Sequence, residues 1–364
     1  MDAIVTGSSI NFRQSVSRAR STTTRNSPSR ASDLGMSLSK AEKAVSDFDK
    51  ALDLLKNNPA EQRLDVHMSY SRYLELEECW PKIKAARNIS SKYPSLSYNS
   101  VAETVTVITI PRDLHEVGAA DLVNSIIGNA NIFLASHGAD ASLIRRIKDA
   151  RASDRKGRGD YARSKKMADS VIVFAAGTVE GVKTMIAIEV GFTENYNALC
   201  EDKDFWILGQ HVDVCIFVCL EESPRFRNPR TPFESVADVD AEVATMMQNV
   251  AADFDRDSAR GHYGSIEYRG HKLVGELREA FIEVWRVNRR RPRRYVYMIQ
   301  DSLSLKAPPK SFGLRIRDLV PQNYLADWHI PDGDIVFDGD EYLVSLRQFM
   351  AETARQRYFG FISP

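Results

Sequence analysis

The chain has 364 residues, and its 49 lysines plus arginines balance its 49 aspartates plus glutamates, for a formal net charge of zero. That balance leaves no global field pointing to nucleic acid or membrane, and no apolar run is long enough to cross a bilayer. The four cysteines, Cys79, Cys200, Cys215 and Cys219, suit neither a metal pair nor a disulfide framework. With no hydrophobic secretory signal, the expected compartment is reducing and cytoplasmic.

Residues 1–35 are rich in Ser, Thr and Arg and poor in large apolar side chains. Such a segment buries too little surface to offset its ordering entropy, so a disordered arm is expected. Its arginines also resemble an organelle transit peptide or a polyanion-binding arm. Residues 36–95 predict a helical hairpin. Leu38, Val45, Phe48, Leu52 and Leu55 recur at helical spacing, and Asn57-Asn58-Pro59 ends that stretch. A second helix is expected from Ala60 to Ile89, kinked or split at Pro81.

From residue 100 to 260 the pattern predicts a flavodoxin-like α/β domain. Thr104 to Ile110 is a β-branched strand, residues 114–127 a helix and Asn131 to Ala135 a second strand. A loop from Ser136 to Asp140 then leads to a helix carrying Leu143, Ile144 and Ile147. Ser170 to Ala175 is a continuous apolar run of the kind a parallel sheet buries on both faces. A turn with Gly177 and Gly181 follows, then a helix holding Glu189 among Met185, Ile186, Ile188, Val190 and Phe192. Phe205 to Leu208 and Val214 to Leu220 add strands. Alternation of strand and helix predicts βαβ units and a mostly parallel sheet.

Residues 261–364 predict a C-terminal α/β extension, preceded by a helix over residues 234–255. Within the extension, Leu273 to Val287 reads as a helix and Tyr295 to Ile299 as a strand. Asp334 to Phe337 reads as another strand, followed by a turn and a helix through Arg355.

An acid inside an apolar run costs free energy unless it is paired, capped or used. Glu189 is therefore the candidate catalytic residue. In a parallel sheet, the loop carrying Ser136, His137, Gly138 and Asp140 and the turn carrying Gly177 and Thr178 leave the same edge and face one cleft. Arg145 and Arg146 follow directly and suit phosphate. A carboxylate beside a ribose could stabilise developing positive charge, orient a hydroxyl or attack the anomeric carbon.

The stretch IFLASHGADASLIRRIKD resembles the first strand, loop and helix of TIR domains. ADSVIVFAAG and the following helix with IAIEVGF resemble a later strand and the acid-bearing helix of that group, and equally the matching segment of nucleoside deoxyribosyltransferases. The resemblance covers roughly residues 100–220. It implies a flavodoxin-like sheet and a nucleotide or nucleoside ligand. It also implies cleavage or transfer of an N-glycosidic bond, with Glu189 acting on the ribose and NAD as a substrate rather than a cofactor. A third possibility under that resemblance is a catalytically silent TIR-like scaffold, which would self-associate without turnover.

The alternative is a non-enzymatic RNA-binding or self-assembling protein. Arg289, Arg290, Arg291, Arg293 and Arg294 lie between Trp285 and Tyr295, and arginines interleaved with aromatics suit single-stranded nucleic acid. A solvated loop is the plainer interpretation of that run. The acids Asp332, Asp334, Asp338, Asp340 and Glu341 do not match a calcium-loop spacing, so no metal is expected. They could pair with the basic stretches, within the chain or between copies.

Overall fold

The computed structural model of the protein describes residues 63–86, 95–108, 113–150, 154–177, 181–192, 196–226, 238–256, 263–287, 293–301, 304–305 and 313–362. The expected N-terminal arm and the first helix of the expected hairpin lie outside these residues.

The chain opens with β1 (Arg63–His67), α1 (Tyr70–Ala86), β2 (Ser95–Asn99) and β3 (Thr104–Ile108). Next come α2 (Asp113–Ser136), the short α3 (Ala141–Ile144), β4 (Ile147–Asp149), β5 (Asp154–Lys156) and β6 (Lys165–Met167). The centre of the fold is β7 (Ser170–Ala175), β8 (Val182–Phe192), α4 (Tyr196–Asp204), a π-helix (Phe205–Gly209) and β9 (Val214–Ser223). Then follow α5 (Val239–Arg256), β10 (Ile266–Tyr268), β11 (His271–Val274), β12 (Glu276–Arg286), β13 (Arg293–Asp301) and β14 (Ser304–Leu305). The last helices are α6 (Gln322–Asp327) and α7 (Gly339–Ile362).

Seven strands form one mixed sheet in the order β14-β13-β12-β9-β8-β7-β4. Within it β8 and β9 pair in parallel, and the other neighbours are antiparallel. The expected flavodoxin-like, mostly parallel sheet is therefore corrected. The physical reason is connection length. Between β8 and β9 the chain has room for a crossover through α4 and the π-helix. Between β7 and β8, and between β12 and β13, the links are too short for anything but an antiparallel return.

Several local expectations change with it. Residues 182–192 are a strand rather than a helix. Val182, Thr184, Ile186, Ile188 and Val190 are β-branched, alternate along the chain and suit a pleated surface. Residues 273–287 are likewise strand, in β11 and β12. Residues 131–135 are the last turns of α2, where Leu122, Val123, Ile126, Ala130 and Leu134 form one buried stripe. A short apolar run such as NIFLA does not distinguish helix from strand by period alone. The expected strand at Phe205 to Leu208 is the π-helix. The second expected helix of the N-terminal hairpin begins as β1 and becomes α1, with Pro81 inside it.

The two faces of the large sheet carry different layers. Ile172, Phe174, Ile186, Ile188, Val190, Ile216, Val218 and Ile282 face the main core, packed with α2, α5 and α7. Val171, Val173, Ala187, Cys215, Phe217 and Phe281 face a second core with Leu199 of α4 and Phe205 and Trp206 of the π-helix. The period of two along each strand puts neighbouring residues on opposite faces.

A smaller antiparallel sheet has the order β1-β3-β2-β6-β5. Its face is covered by Tyr73, Leu76 and Trp80 of α1, packed with Val66, Tyr98, Val105 and Val107. From β6 the chain passes through Ala168 and Asp169 directly into β7, so residues 166–169 join the two sheets. Among the described residues no helix is long and apolar enough to cross a membrane.

Candidate functional site

One buried polar cluster among the described residues lies at that join. Ser170 of β7 pairs with Ile188 of β8, and β8 runs on past the start of β7. The next free β8 amide, on Val190, is bound by a side chain instead: it donates to Asp169 Oδ2 at 2.7 Å. Glu189 lies between Ile188 and Val190 and so points to the opposite face, into the second core. There it is only 3% exposed.

Trp206 and Lys166 flank the Glu189 carboxyl, and Lys166 links it to Asp202. Trp206 Nε1 donates to Glu189 Oε1 at 2.5 Å. Lys166 Nζ is 3.6 Å from the same oxygen and 2.9 Å from Asp202 Oδ2. Asp202 itself is buried on α4. Burial pushes the Glu189 carboxyl well above the ordinary carboxylate range. Lys166 opposes the push, Asp169 and Asp202 reinforce it, and the Trp206 indole opposes it. Burial also raises the Cys215 thiol, with Glu189 adding to the effect.

Local sequence explains how these side chains meet. A Cβ at Gly191 would fall 2.5 Å from Leu199 Cδ1, so the missing side chain lets α4 sit close against β8. Asp202 is three residues beyond Leu199, on the same face of that helix. The π-helix carries Trp206 and is fixed to the β5–β6 hairpin: Arg158 N donates to Gly209 O at 2.8 Å, and Gln210 Nε2 donates to Lys156 O. Gly157 in that hairpin cannot carry a side chain, because a Cβ there would lie 2.0 Å from Tyr161 O. Lys165 ties the hairpin to α1 and β5, with Nζ 2.8 Å from both Glu77 Oε1 and Asp154 Oδ2. The hairpin also carries Arg155, and exposed Lys156, Arg158 and Arg163. The Arg163 guanidinium sits over the Tyr70 ring at 5.3 Å.

One strand beyond β9, a second acid occupies the same cross-strand row. Glu189 pairs with Phe217, and Phe217 with Glu283. Glu283 is fully buried, and its Oε2 accepts from Tyr196 OH at 2.8 Å and Trp285 Nε1 at 3.1 Å.

The other candidates lie elsewhere. Ser136 ends α2, which packs on the opposite face of the sheet from Glu189. Its Oγ donates to Phe133 O at 2.8 Å. His137 is exposed, stacks on Phe133 at 4.1 Å between ring centroids and bonds Phe133 O through Nδ1. Gly138 takes a positive φ of 82° in the turn that ends α2. Asp140 caps α3, accepting from the amides of Ser142 and Leu143, and hydrogen bonding from Ser142 holds its carboxyl below the ordinary value. Arg145 is exposed. Arg146 donates to Ala176 O at 2.6 Å and lies over the Tyr324 ring at 5.2 Å. Gly177 has φ 72°, and a Cβ there would lie 3.8 Å from the Arg146 guanidinium.

The structure thus brings Arg146 to the turn holding Gly177 but does not bring either to Glu189. Thr178, Arg289, Arg290 and Arg291 lie outside the described residues, while Arg293 and Arg294 begin β13 opposite Val284 and Glu283. Lys166, Asp169, Asp202 and Trp206 are the residues that sequence reasoning missed. Asp169, an acid immediately before an apolar strand, was the one local signal among them.

Among the described residues no group of three or more His, Cys, Asp or Glu side chains is arranged to hold a metal ion. Comparison with protein-family models, curated proteins and solved structures finds no match to this chain.

Proposed function

We propose that this chain is a metal-assisted phosphodiester hydrolase acting on nucleic acid. The observation that carries the reading is the meeting of Glu189, Asp169 and Lys166 at the corner where β7 begins and β8 runs on. A carboxylate on β8 and another just before β7, with the Lys166 ammonium beside Glu189, suit a phosphate and a hard cation. Mg²⁺ does not require a protein cage of three or more acids. It keeps several waters and is bound through one or two carboxylates plus the phosphates of the substrate.

In this reading Glu189 and Asp169 would hold the ion, which would supply an activated water for attack on phosphorus, with the leaving oxygen taking its proton from solvent. Lys166 would stabilise the charge that builds on the phosphate oxygens. The β5–β6 hairpin supports the choice of substrate, since Lys156, Arg158 and Arg163 offer backbone-phosphate contacts next to the corner.

A second reading is favoured by the raised Glu189 carboxyl. A carboxyl that burial holds above the ordinary carboxylate range retains its proton more readily, which suits general acid catalysis at the N-glycosidic bond of NAD or a nucleoside.

One experiment separates the two. The full chain is incubated with DNA and RNA oligonucleotides, with and without Mg²⁺, and separately with NAD and nucleosides, as wild type and as Glu189→Gln. Mg²⁺-dependent strand shortening that disappears in Glu189→Gln supports the first reading. Release of free base or nicotinamide supports the second. Oligonucleotide binding without turnover of any substrate removes both and leaves a binding protein.

A further inference from the structure

We infer that Tyr70 and Arg163 form a stacking site for an unpaired base, so that the polynucleotide this chain takes is single-stranded. The inference rests on the nucleic-acid part of the reading above and not on the metal ion. Tyr70 starts α1, Tyr73 follows one turn on, and Tyr98 lies on β2. Their rings form a ladder. Tyr73 stacks on Tyr98 at 4.6 Å between centroids and 10° between planes, and Tyr70 lies 5.7 Å from Tyr98 and 6.2 Å from Tyr73. Such separations are those of favourable aromatic packing. Tyr73 and Tyr98 are 2% and 3% exposed, while Tyr70 is half-buried. Two buried rings thus hold a third at the surface from behind.

The Arg163 guanidinium covers that outer ring at 5.3 Å. The backbone around Arg163 is anchored: Ser100 N donates to Ser164 Oγ at 2.8 Å, and Ser100 Oγ donates to Asp160 O at 2.9 Å. These bonds fix the segment carrying Arg163 to the turn between β2 and β3. The side chain itself is held by the ring and by no carboxylate. Among the described residues Arg155, Lys156, Arg158 and Arg163 have no ion-pair partner, whereas Lys165 and Lys166 of the same hairpin are paired. Four unpaired cations suit the phosphates of a backbone passing along the hairpin. A guanidinium is planar and stacks on flat π-faces. The base of an unpaired nucleotide lies on Tyr70, and Arg163 moves outward to cover its other face. A base within a duplex has both faces covered by its neighbours and must first be unstacked to reach the ring.

The test is fluorescence anisotropy of the full-length protein, without added metal, on labelled oligo(dT), oligo(U), an abasic strand of the same length and a duplex. Wild type is expected to bind the strands with bases about tenfold more tightly than the abasic strand, which offers the same phosphates and nothing to stack. Tyr70→Leu is expected to weaken binding of oligo(dT) or oligo(U) about tenfold, and of the abasic strand and the duplex less than about twofold. The strand that shows the loss identifies the sugar. Tyr70→Phe keeps the ring and is expected to match wild type. Arg163→Lys keeps the charge without the plane and is expected to cost about threefold on strands with bases and nothing on the abasic strand. Thermal melts accompany each variant, and Arg163→Lys, a change at an exposed side chain, decides the matter if Tyr70→Leu lowers the melting temperature.

Equal losses in Tyr70→Leu on every probe overturn the inference, since Tyr70 would then only seat the hairpin. Wild type that binds abasic and base-bearing strands alike, or variants that bind as wild type does, overturn it as well and leave the nucleic-acid reading standing. No binding of any probe overturns that reading and this inference with it.

Discussion

Asp169 Oδ2 accepts the Val190 amide proton at 2.7 Å, so a side chain continues the β7–β8 pairing one step past the backbone of β7. This bond closes the sheet corner and sets a second carboxylate beside Glu189. Asp169→Ala leaves the Val190 amide without this acceptor, at an expected cost of about 1–3 kcal/mol. Asp169→Asn keeps an acceptor oxygen and is expected to retain most of that stability while losing Mg²⁺-dependent cleavage. Urea denaturation and the oligonucleotide assay read the two effects. Equal stability of both variants and wild type would show that the bond adds nothing.

The Glu189 carboxyl is raised by burial above its ordinary value of 4.5, so the folded protein holds this proton to higher pH than the unfolded chain. Above about pH 4.5 the folded state binds more protons, and stability falls as pH rises until the folded-state pKa is passed. The loss amounts to about 1.4 kcal/mol for each unit of the raise. Glu189→Gln removes this titration. Its melting temperature relative to wild type is expected to climb as pH rises above about 4.5. A difference that does not vary with pH would mean that Lys166 and Trp206 fully offset the burial.

Arg158 and Arg163 are exposed on the β5–β6 hairpin. Arg158→Ala and Arg163→Ala are each expected to weaken oligonucleotide binding uniformly across sequences. Each should also reduce the slope of log affinity against log salt by about one. Fluorescence anisotropy at several salt concentrations measures this. Arg163 also covers Tyr70, so its loss should change binding to single strands more than that of Arg158. Unchanged slopes in both variants would place the nucleic acid elsewhere.

Arg357 of α7 pairs with Glu222 of β9, with Nη1 to Oε1 at 2.8 Å and Nη2 to Oε2 at 3.1 Å, and both side chains are buried. Gly275 N also donates to Glu222 Oε1 at 2.8 Å. Arg357→Met leaves a buried carboxylate without its cation and is expected to cost about 3–5 kcal/mol in chemical denaturation. Arg357→Met combined with Glu222→Leu is expected to recover a large part of that loss. A double variant no more stable than the single would refute the charge argument.

Much of the secondary structure was legible where the local pattern admits one answer. The amphipathic run ending near Asp255 is α5, and the apolar runs at Ser170 to Ala175 and Val214 to Leu220 are β7 and β9. Legibility failed where an apolar run fits both periods. Residues 182–192 and 273–287 carry both β-branched and helix-compatible residues, and strand pairing decided them. NIFLA went the other way, because its neighbours continue a helical stripe.

For the site, the sequence by itself determined that Glu189 is an acid among apolar residues and therefore needs a partner. Only the tertiary structure decided what that partner is. Lys166 arrives from a hairpin of the smaller sheet, Asp202 from a helix seated on Gly191, and Trp206 from a π-helix, and no local spacing encodes their convergence. A strand's period of two set Glu189 on one face and its neighbours Ile188 and Val190 on the other. A helix would have given it a different set of neighbours. The expected cleft with Ser136 and Gly177 dissolved for that reason, since those residues belong to the far face and edge of the sheet. Burial and charge explain why Glu189 stood out, and long-range strand pairing explains where it ended up.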